Sequence, residues 1–511
     1  VPAPPPSAGP RPPAPPPGRA APPWLLAAAV LVSGAAVLVV ETLAARLVAP
    51  YVGLTLESQT SAIGVALLGI AAGARWGGRL ADRVEPRTVL AGALAAGGLL
   101  VLAVRPLVHL VGPAVPPGAA SAVLLVAVST LPAVTVLSMT APAAVKARLR
   151  TVDGAGSVVG SMSALGTLGA LAGTFLTGFV FVAALPTGGI LLVTALACLA
   201  LGAVAGADRA RSLALPAAGA AVVAGGLVVL VDGPCEEETT YYCARVVADP
   251  GDEGRDGGRV LVLDDLRHSY VDLDDPAHLE FAYVQRFADV VDSAFPAGEP
   301  LDAVHVGGGG FTMPRWLAAT RPGSSSVVLE LDEGVVELGR RELGVDAIPG
   351  LRVRTGDARV SLAALPHDSA DLVVGDAFGS LSVPWHLATR EFLADVDRVL
   401  RPGGVLVLNV IDNAPRAFLA AETRTVDAVL DDVVVLGRPE QLEDDGGGNF
   451  VVAAADRPLD RDALAARAGE RGEPGSVLGP AAYEDLVEGA PVLTDDRAPV
   501  DQLLTPYRPV V

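Results

Sequence analysis

Between residues 24 and 231 the chain runs through seven apolar stretches, at 24–48, 60–80, 88–111, 119–141, 155–183, 187–206 and 212–231. Each is about 20 residues or longer, the length a helix needs to cross a bilayer. Soluble cores seldom need so many apolar helices in succession, so this half reads as a multi-pass helical membrane domain. Lipid leaves little else open, because every main-chain polar group must then be satisfied within its own helix. The proline-rich segment 1–22 ahead of it has no means of forming a core and reads as a disordered tail.

Basic residues in the short connections set the orientation. Arg83 and Arg87, then Lys146, Arg148 and Arg150, then Arg209 and Arg211, with Arg11 and Arg19 in the tail, fall on one side if seven spans are counted. That side is expected to be cytoplasmic, which sends everything after residue 231 to the other face. Cys235 and Cys243 then have access to an oxidising compartment and can close a small-loop disulfide; otherwise they are two thiols. Cys198 lies inside an apolar run and reads as core, and no zinc-ligand spacing is present. Gly156/Gly160 and Gly169/Gly173 are small residues at four-residue spacing, suited to close helix packing. Glu41 and Arg46 are ionisable residues in the first span, functional candidates that can also reach the interface or pair locally. The loop 78–83 (GRLADR) resembles the loop after the second helix of major-facilitator transporters, although seven spans are too few for a transporter of that type.

The second half differs in composition. The chain is 511 residues long with a formal charge of −20, and its acids crowd the region after the last apolar stretch. Strong acidity argues against a nucleic-acid partner, since phosphate contacts require a basic face. Residues 232–300 carry strand-like runs at 259–263 and 269–273 and read as a small β-rich subdomain. The stretch 279–291 (LEFAYVQRFADVV) reads as a helix leading out of it. From 301 onward strand and helix alternate, with strands expected at 303–306, 327–331, 351–355, 372–375, 405–410 and 450–454 and a turn at 401–404 (RPGG). That alternation is the pattern of a parallel sheet covered on both faces. The segment 456–511 is polar, with helical pieces and a proline-containing end.

The chemistry concentrates in 302–332. An apolar run (AVHV) opens into Gly307, Gly308, Gly309 and Gly310, a helix begins near Thr312, and a second apolar run carries Glu330. Glycines let the main chain approach a ligand, the helix N-terminus favours electron-rich groups, and an acid about 20 residues on can accept from both ribose hydroxyls. Asp357 and Asp376 follow the next two expected strands, so three acids share the carboxyl edge of the sheet, where ligands of such folds bind. Asp357 can accept from an exocyclic amino group, and Asp376 can take a proton from an amine. The alternative is that these acids cap helices or face water.

These residues carry a resemblance. The segments 263–270 (LDDLRHSY), 281–286 (FAYVQR), the glycine turn, Glu330, Gly356–Asp357, 375–392 (GDAFGSLSVPWHLATREF) and 493–501 (LTDDRAPVD) resemble the spermidine synthase family. With 41–53 (ETLAARLVAPYVG), the whole chain is similar to its bacterial membrane-fused members. The resemblance implies a small β domain followed by a Rossmann-like domain of the S-adenosylmethionine-dependent methyltransferase type, and dimers. It implies transfer of an aminopropyl group from decarboxylated S-adenosylmethionine to an amine, without a metal, leaving methylthioadenosine. Gly307, Gly308, Gly309 and Glu330 would hold the donor's ribose side, Asp357 its adenine, Asp376 the amine proton, and Tyr283 would orient that amine. The chain departs from the family pattern at Gly310, Phe311, Thr312, Gly379, Cys243, Val284 and Gln285, so the adenosine side is largely kept and the dicationic side is stripped of carboxylates. Binding without chemistry, transport-coupled binding and methyl transfer remain open on the same fold.

Overall fold

A computed structural model of the 511-residue chain describes residues 22–116, 118–149, 154–207, 233–251, 253–379, 382–443 and 446–504. The chain divides into two compact units, Val1–Gly233 and Pro234–Val511. The tail through residue 21 and the expected seventh span at 212–231 lie outside the described residues.

Among the described residues, the first unit contains six helices long and apolar enough to cross a membrane: Pro23–Val52, Leu56–Arg83, Pro86–Ala114, Ala119–Arg148, Ala155–Ala184 and Thr187–Ala205. They coincide with the first six expected spans. The helix Leu56–Arg83 starts at a capping box in which Thr55 accepts from Ser58 N and the Ser58 hydroxyl accepts from Thr55 N. Glycines set the closest contacts. A Cβ at Gly169 would lie 2.0 Å from Leu31 O and one at Gly173 2.4 Å from Ala35 O, so this pair is the seam with the first helix. Gly73 does the same against Thr135 O at 2.2 Å. Gly156 and Gly160, expected to behave alike, have nothing within 4 Å of such a Cβ. Glu41 and Arg46 are half-buried along the first helix, and the GRLADR stretch, expected as a loop, is the end of the helix Leu56–Arg83, where Asp82 pairs with Lys146 at 2.7 Å.

The second unit begins with a four-stranded antiparallel sheet in the order β1 (Glu237–Glu238), β2 (Cys243–Ala248), β3 (Gly258–Leu263), β4 (Leu266–Asp272). Cys235 and Cys243 form a disulfide that ties the chain ahead of β1 to the start of β2. The helix Ala282–Ala294 then leads into a seven-stranded sheet of order β10-β11-β9-β8-β5-β6-β7. Its strands are β5 (Asp302–Val306), β6 (Ser325–Glu330), β7 (Leu351–Thr355), β8 (Ala370–Gly375), β9 (Leu400–Asp412), β10 (Asp432–Leu436) and β11 (Gly448–Ala455). Strands β5 to β9 pair in parallel, and β10 and β11 are antiparallel additions. The central strands are apolar on both faces because helices cover both. One cluster packs Leu406, Leu408 and Val410 under Phe392 and Phe418, and another packs Val405 and Val407 under Phe287 and Trp316.

Strands β1 and β2 lie outside the two strand-like runs expected in 232–300, and two further details differ from the sequence reading. Strand β10 was not expected; its run DVVVL is short and follows a helix without a glycine or proline break. The RPGG stretch is a bulge rather than a turn before a strand. Leu400 pairs with Ala370 and Val405 with Leu372, so residues 401–404 are extra length within β9, with Gly403 at φ +84. In the C-terminal segment, Leu493, Val500 and Leu504 are buried against the main sheet's core. Arg359 holds Asp495 at 2.6 Å.

Candidate functional site

The carboxyl edge of the large sheet gathers the glycine turn and the three expected acids, because β8, β5, β6 and β7 are consecutive neighbours. Gly307 leaves β5 at φ +95, and a Cβ there would fall 2.4 Å from Asp376 O, so only hydrogen fits where the two strand ends meet. Phe311 adopts a left-handed φ of +59 with its ring fully buried beside Val328, Val336 and Leu343. That backbone costs roughly 1–2 kcal/mol in a non-glycine residue, which burial of a phenyl ring, about 1.5–3 kcal/mol, offsets. The ring locks the turn ahead of the helix Thr312–Thr320.

Glu330 ends β6 and is held by main-chain donors. Its Oε2 accepts from Gly308 N at 2.7 Å and its Oε1 from Asp332 N at 2.9 Å. Burial raises its pKa, opposed by those amides. The acid and the turn are therefore one structure. Asp357 follows β7 and caps the helix Ala358–Ala363, its Oδ1 accepting from Val360 N at 3.0 Å while Oδ2 lies 3.2 Å from His386 Nε2. It is joined to His386 rather than to the other two acids.

Asp376 follows β8 and is held by side chains. Tyr283 Oη donates to its Oδ2 at 3.0 Å, and Asn409 Nδ2 donates to its Oδ1 at 2.8 Å. Asn449 Nδ2 in turn donates to Asn409 Oδ1 at 3.0 Å, which fixes the orientation of that amide. Burial pushes the Asp376 carboxyl up to about 6, against the two hydrogen bonds that lower it. Burial, then the Asp376 charge, drives the Tyr283 phenol well above its ordinary value, so it stays a donor. Tyr283 packs edge-on against Phe287 at 5.6 Å, and Tyr242 of the small sheet donates to Phe378 O at 3.0 Å, steadying the loop after Asp376.

Two cavities meet at Tyr283 and Asp376. The smaller lies under the glycine turn between His268, Ser269, His305 and Asp376. No lysine or arginine lines it, and burial holds His268 down to about 4 and His305 to about 3, so both imidazoles are neutral. Its one formal charge is that of Asp376, a lining suited to a cation. The larger opens beyond Asp376 past Asn409 and Asn449. Neither Glu330 nor Asp357 lines either cavity.

The sequence reading missed Asn409, Asn449 and His268. Asn409 did carry a signal: it is a lone polar residue in the apolar run of β9, 4% exposed, and a buried amide needs partners. The departures also have local explanations. A Cβ at Gly310 would press on Ser269 Oγ at 2.4 Å, Cys243 is in the disulfide, Val284 is buried in the core, Gln285 Nε2 donates to Leu279 O, and Gly379 pairs with Ser382.

The second unit resembles several known proteins in sequence. A methyltransferase domain family model matches residues 304–408. The chain is 36% identical over 111 residues to a polyamine aminopropyltransferase of Vibrio vulnificus, covering 21% of this chain and 37% of that protein. It is 31% identical over 191 residues to a polyamine aminopropyltransferase of Pyrobaculum calidifontis, covering 35% and 62%. A crystal structure of a probable spermidine synthase from Corynebacterium glutamicum superposes with a TM-score of 0.47 at 24% identity, over 52% of this chain and 97% of that one. The chain thus spans less than two thirds of the length of the curated relatives it matches. On those sequence matches, the second unit is similar to polyamine aminopropyltransferases over part of their length.

Proposed function

We propose that the second unit transfers an aminopropyl group from decarboxylated S-adenosylmethionine to an amine, and that the first unit anchors it in a membrane. The observation that carries this reading is a single carboxyl of near-neutral pKa, Asp376, gripped by Tyr283 and Asn409 where the glycine-turn cavity meets the larger one. The amine nitrogen attacks the aminopropyl carbon bonded to the donor's sulfonium. A C–N bond forms, the C–S bond breaks with its electron pair going to sulfur, and methylthioadenosine leaves. The new ammonium centre must shed a proton, and Asp376, ionised above about pH 6, is the base beside it. Tyr283 holds that carboxylate in place, and the cation-free smaller cavity favours the sulfonium. Glu330, with the main chain of Gly307, Gly308 and Gly309, takes the ribose, and Asp357 takes the adenine amino group. Because the sulfonium is already activated, most of the rate comes from positioning.

Six apolar helices support membrane anchoring. With the expected span at 212–231, the positive-inside count puts the second unit outside the cytoplasm, and the Cys235–Cys243 disulfide supports that side. The donor must then be delivered across the bilayer. The purified full-length chain should release methylthioadenosine from decarboxylated donor in the presence of some member of an amine panel. Saturable methylthioadenosine binding with no turnover across the panel would replace this reading with a non-catalytic binding module. Labelling Cys235 and Cys243 from either side of sealed vesicles after reduction decides the orientation.

A further inference from the structure

The larger cavity has a charge pattern that a diamine does not fit. A diamine presents two ammonium groups. The reacting nitrogen gives up its proton near Asp376, but the far ammonium stays charged and needs a carboxylate to replace its water. Leading away from Asp376, the wall offers the amides of Asn409 and Asn449, then Gln441 and Arg438. Gln441 is committed to the loop, its oxygen accepting from Arg438 N and its nitrogen donating to Gly447 O. The Arg438 guanidinium is exposed and has no ion-pair partner among the described residues. Arg286 lies on the same wall, 1% exposed, with Glu473 at 2.6 Å.

The lining also carries Glu280 and Asp265. Glu280 meets His278 Nε2 at 2.9 Å, and the Asp265 carboxyl is pushed up by burial, against the nearby charge of Arg245. Of the three guanidiniums in the lining, Arg267 is paired with Asp249 at 2.9 Å and Arg286 with Glu473 at 2.6 Å, which leaves Arg438 as the one without an ion-pair partner among the described residues. The donor itself adds a sulfonium and an ammonium. A second ammonium at the far end would lie beside Arg438, which has no ion-pair partner among the described residues, and the like charges would repel. A carboxylate in that place supplies the missing negative charge, in the bidentate geometry a guanidinium favours.

We propose that the acceptor is an amine whose far end carries a carboxylate, an ω-amino acid rather than a diamine, with Arg438 holding that carboxylate. This rests on the aminopropyl-transfer reading above. The amine end lies at Asp376 and Tyr283, the methylene chain runs past Phe281 and Ile411, and the Asn449 amide lies along the way.

The test uses the full-length chain with labelled decarboxylated donor and matched acceptors: 4-aminobutanoate against putrescine, and 5-aminopentanoate against cadaverine. The ω-amino acid is expected to show at least a tenfold higher kcat/KM than the diamine of equal length. Arg438→Glu is expected to reverse the order, raising KM for the ω-amino acid tenfold or more with kcat little changed, and Arg438→Lys to restore part of the preference. A wild-type preference for the diamines, or an Arg438→Glu variant that affects both classes equally, overturns the proposal and leaves aminopropyl transfer standing. Methylthioadenosine binding, followed by thermal shift, separates the two levels. Its absence defeats the transferase reading itself, whereas its presence with neither acceptor class binding defeats only the assignment of the acceptor.

Discussion

The two ends of the crevice are built from different materials. Around Glu330 the polar groups are satisfied by main chain, with Gly308 N and Asp332 N on the carboxylate and the turn held by glycine geometry and the Phe311 ring. Around Asp376 every partner is a side chain from a distant element. Tyr283 lies 93 positions away, Asn409 is 33 away, and Asn449 is a further 40 from Asn409. Main-chain donors survive every substitution except proline. Side-chain donors can be exchanged singly, so a family that keeps its donor can change its acceptor. In this chain the departures from the family pattern fall at both ends, Gly310, Phe311 and Thr312 in and after the glycine turn and Gly379, Val284 and Gln285 toward the side-chain-built end.

The strongest way to break this division is Asp376→Asn. It should lower kcat by roughly 10²–10⁴-fold, the usual worth of a positioned general base, while methylthioadenosine binding measured calorimetrically stays unchanged. Loss of both together would mean that the two ends are not separable. In the wild type, kcat should rise with pH through about 6, because protonated Asp376 cannot accept the proton. Glu330→Gln should show the opposite pattern. The amide nitrogen cannot accept the hydrogen bond that a carboxylate oxygen takes from Gly308 or Asp332. About 1–3 kcal/mol is expected, mostly as weaker methylthioadenosine binding, with the acid limb of the kcat profile unmoved.

The same division explains what the sequence disclosed. Strand, glycine turn, helix, strand and acid all fall within residues 302–332, and short-range order of that kind leaves a pattern in the chain. The first six apolar helices were legible for a similar reason, since length and hydropathy suffice. Asn409 and Asn449 were not, because nothing local says that β9 and β11 are neighbours or that Asn409 faces Asp376. Strand β10 was missed because its pairing with β11 is set by the sheet rather than by its own few residues. Gly156/Gly160 and Gly169/Gly173 carry the same spacing, yet only the second pair lies in a helix seam. Spacing states what a residue permits, and packing decides whether it is used.

Asn409→Leu sharpens the comparison at the side-chain end. It removes the larger of the two hydrogen bonds that lower Asp376, so the carboxyl should titrate higher. The acid limb of kcat should move to higher pH by about one unit, the low end of what a bond to a charged group contributes. The relative loss is then larger at pH 6 than at pH 8. A variant equally impaired at every pH would show that Asn409 only fills space.

The smallest effect is expected at Asp357, where capping and recognition compete for one carboxylate. Its Oδ1 is committed to Val360 N, and its side chain is 43% exposed. Asp357→Ala should cost about 1 kcal/mol of stability through the lost cap, read as a lowered thermal midpoint, and Asp357→Ser, an equally good cap, should restore it. Serine does not replace the second oxygen. If that oxygen accepts from the adenine amino group, the wild type should bind methylthioadenosine more tightly than methylthioinosine, and Asp357→Ser should erase the difference while keeping the stability. A preference that survives in the serine variant would move adenine recognition to the main chain, and the whole donor end would then be made of backbone.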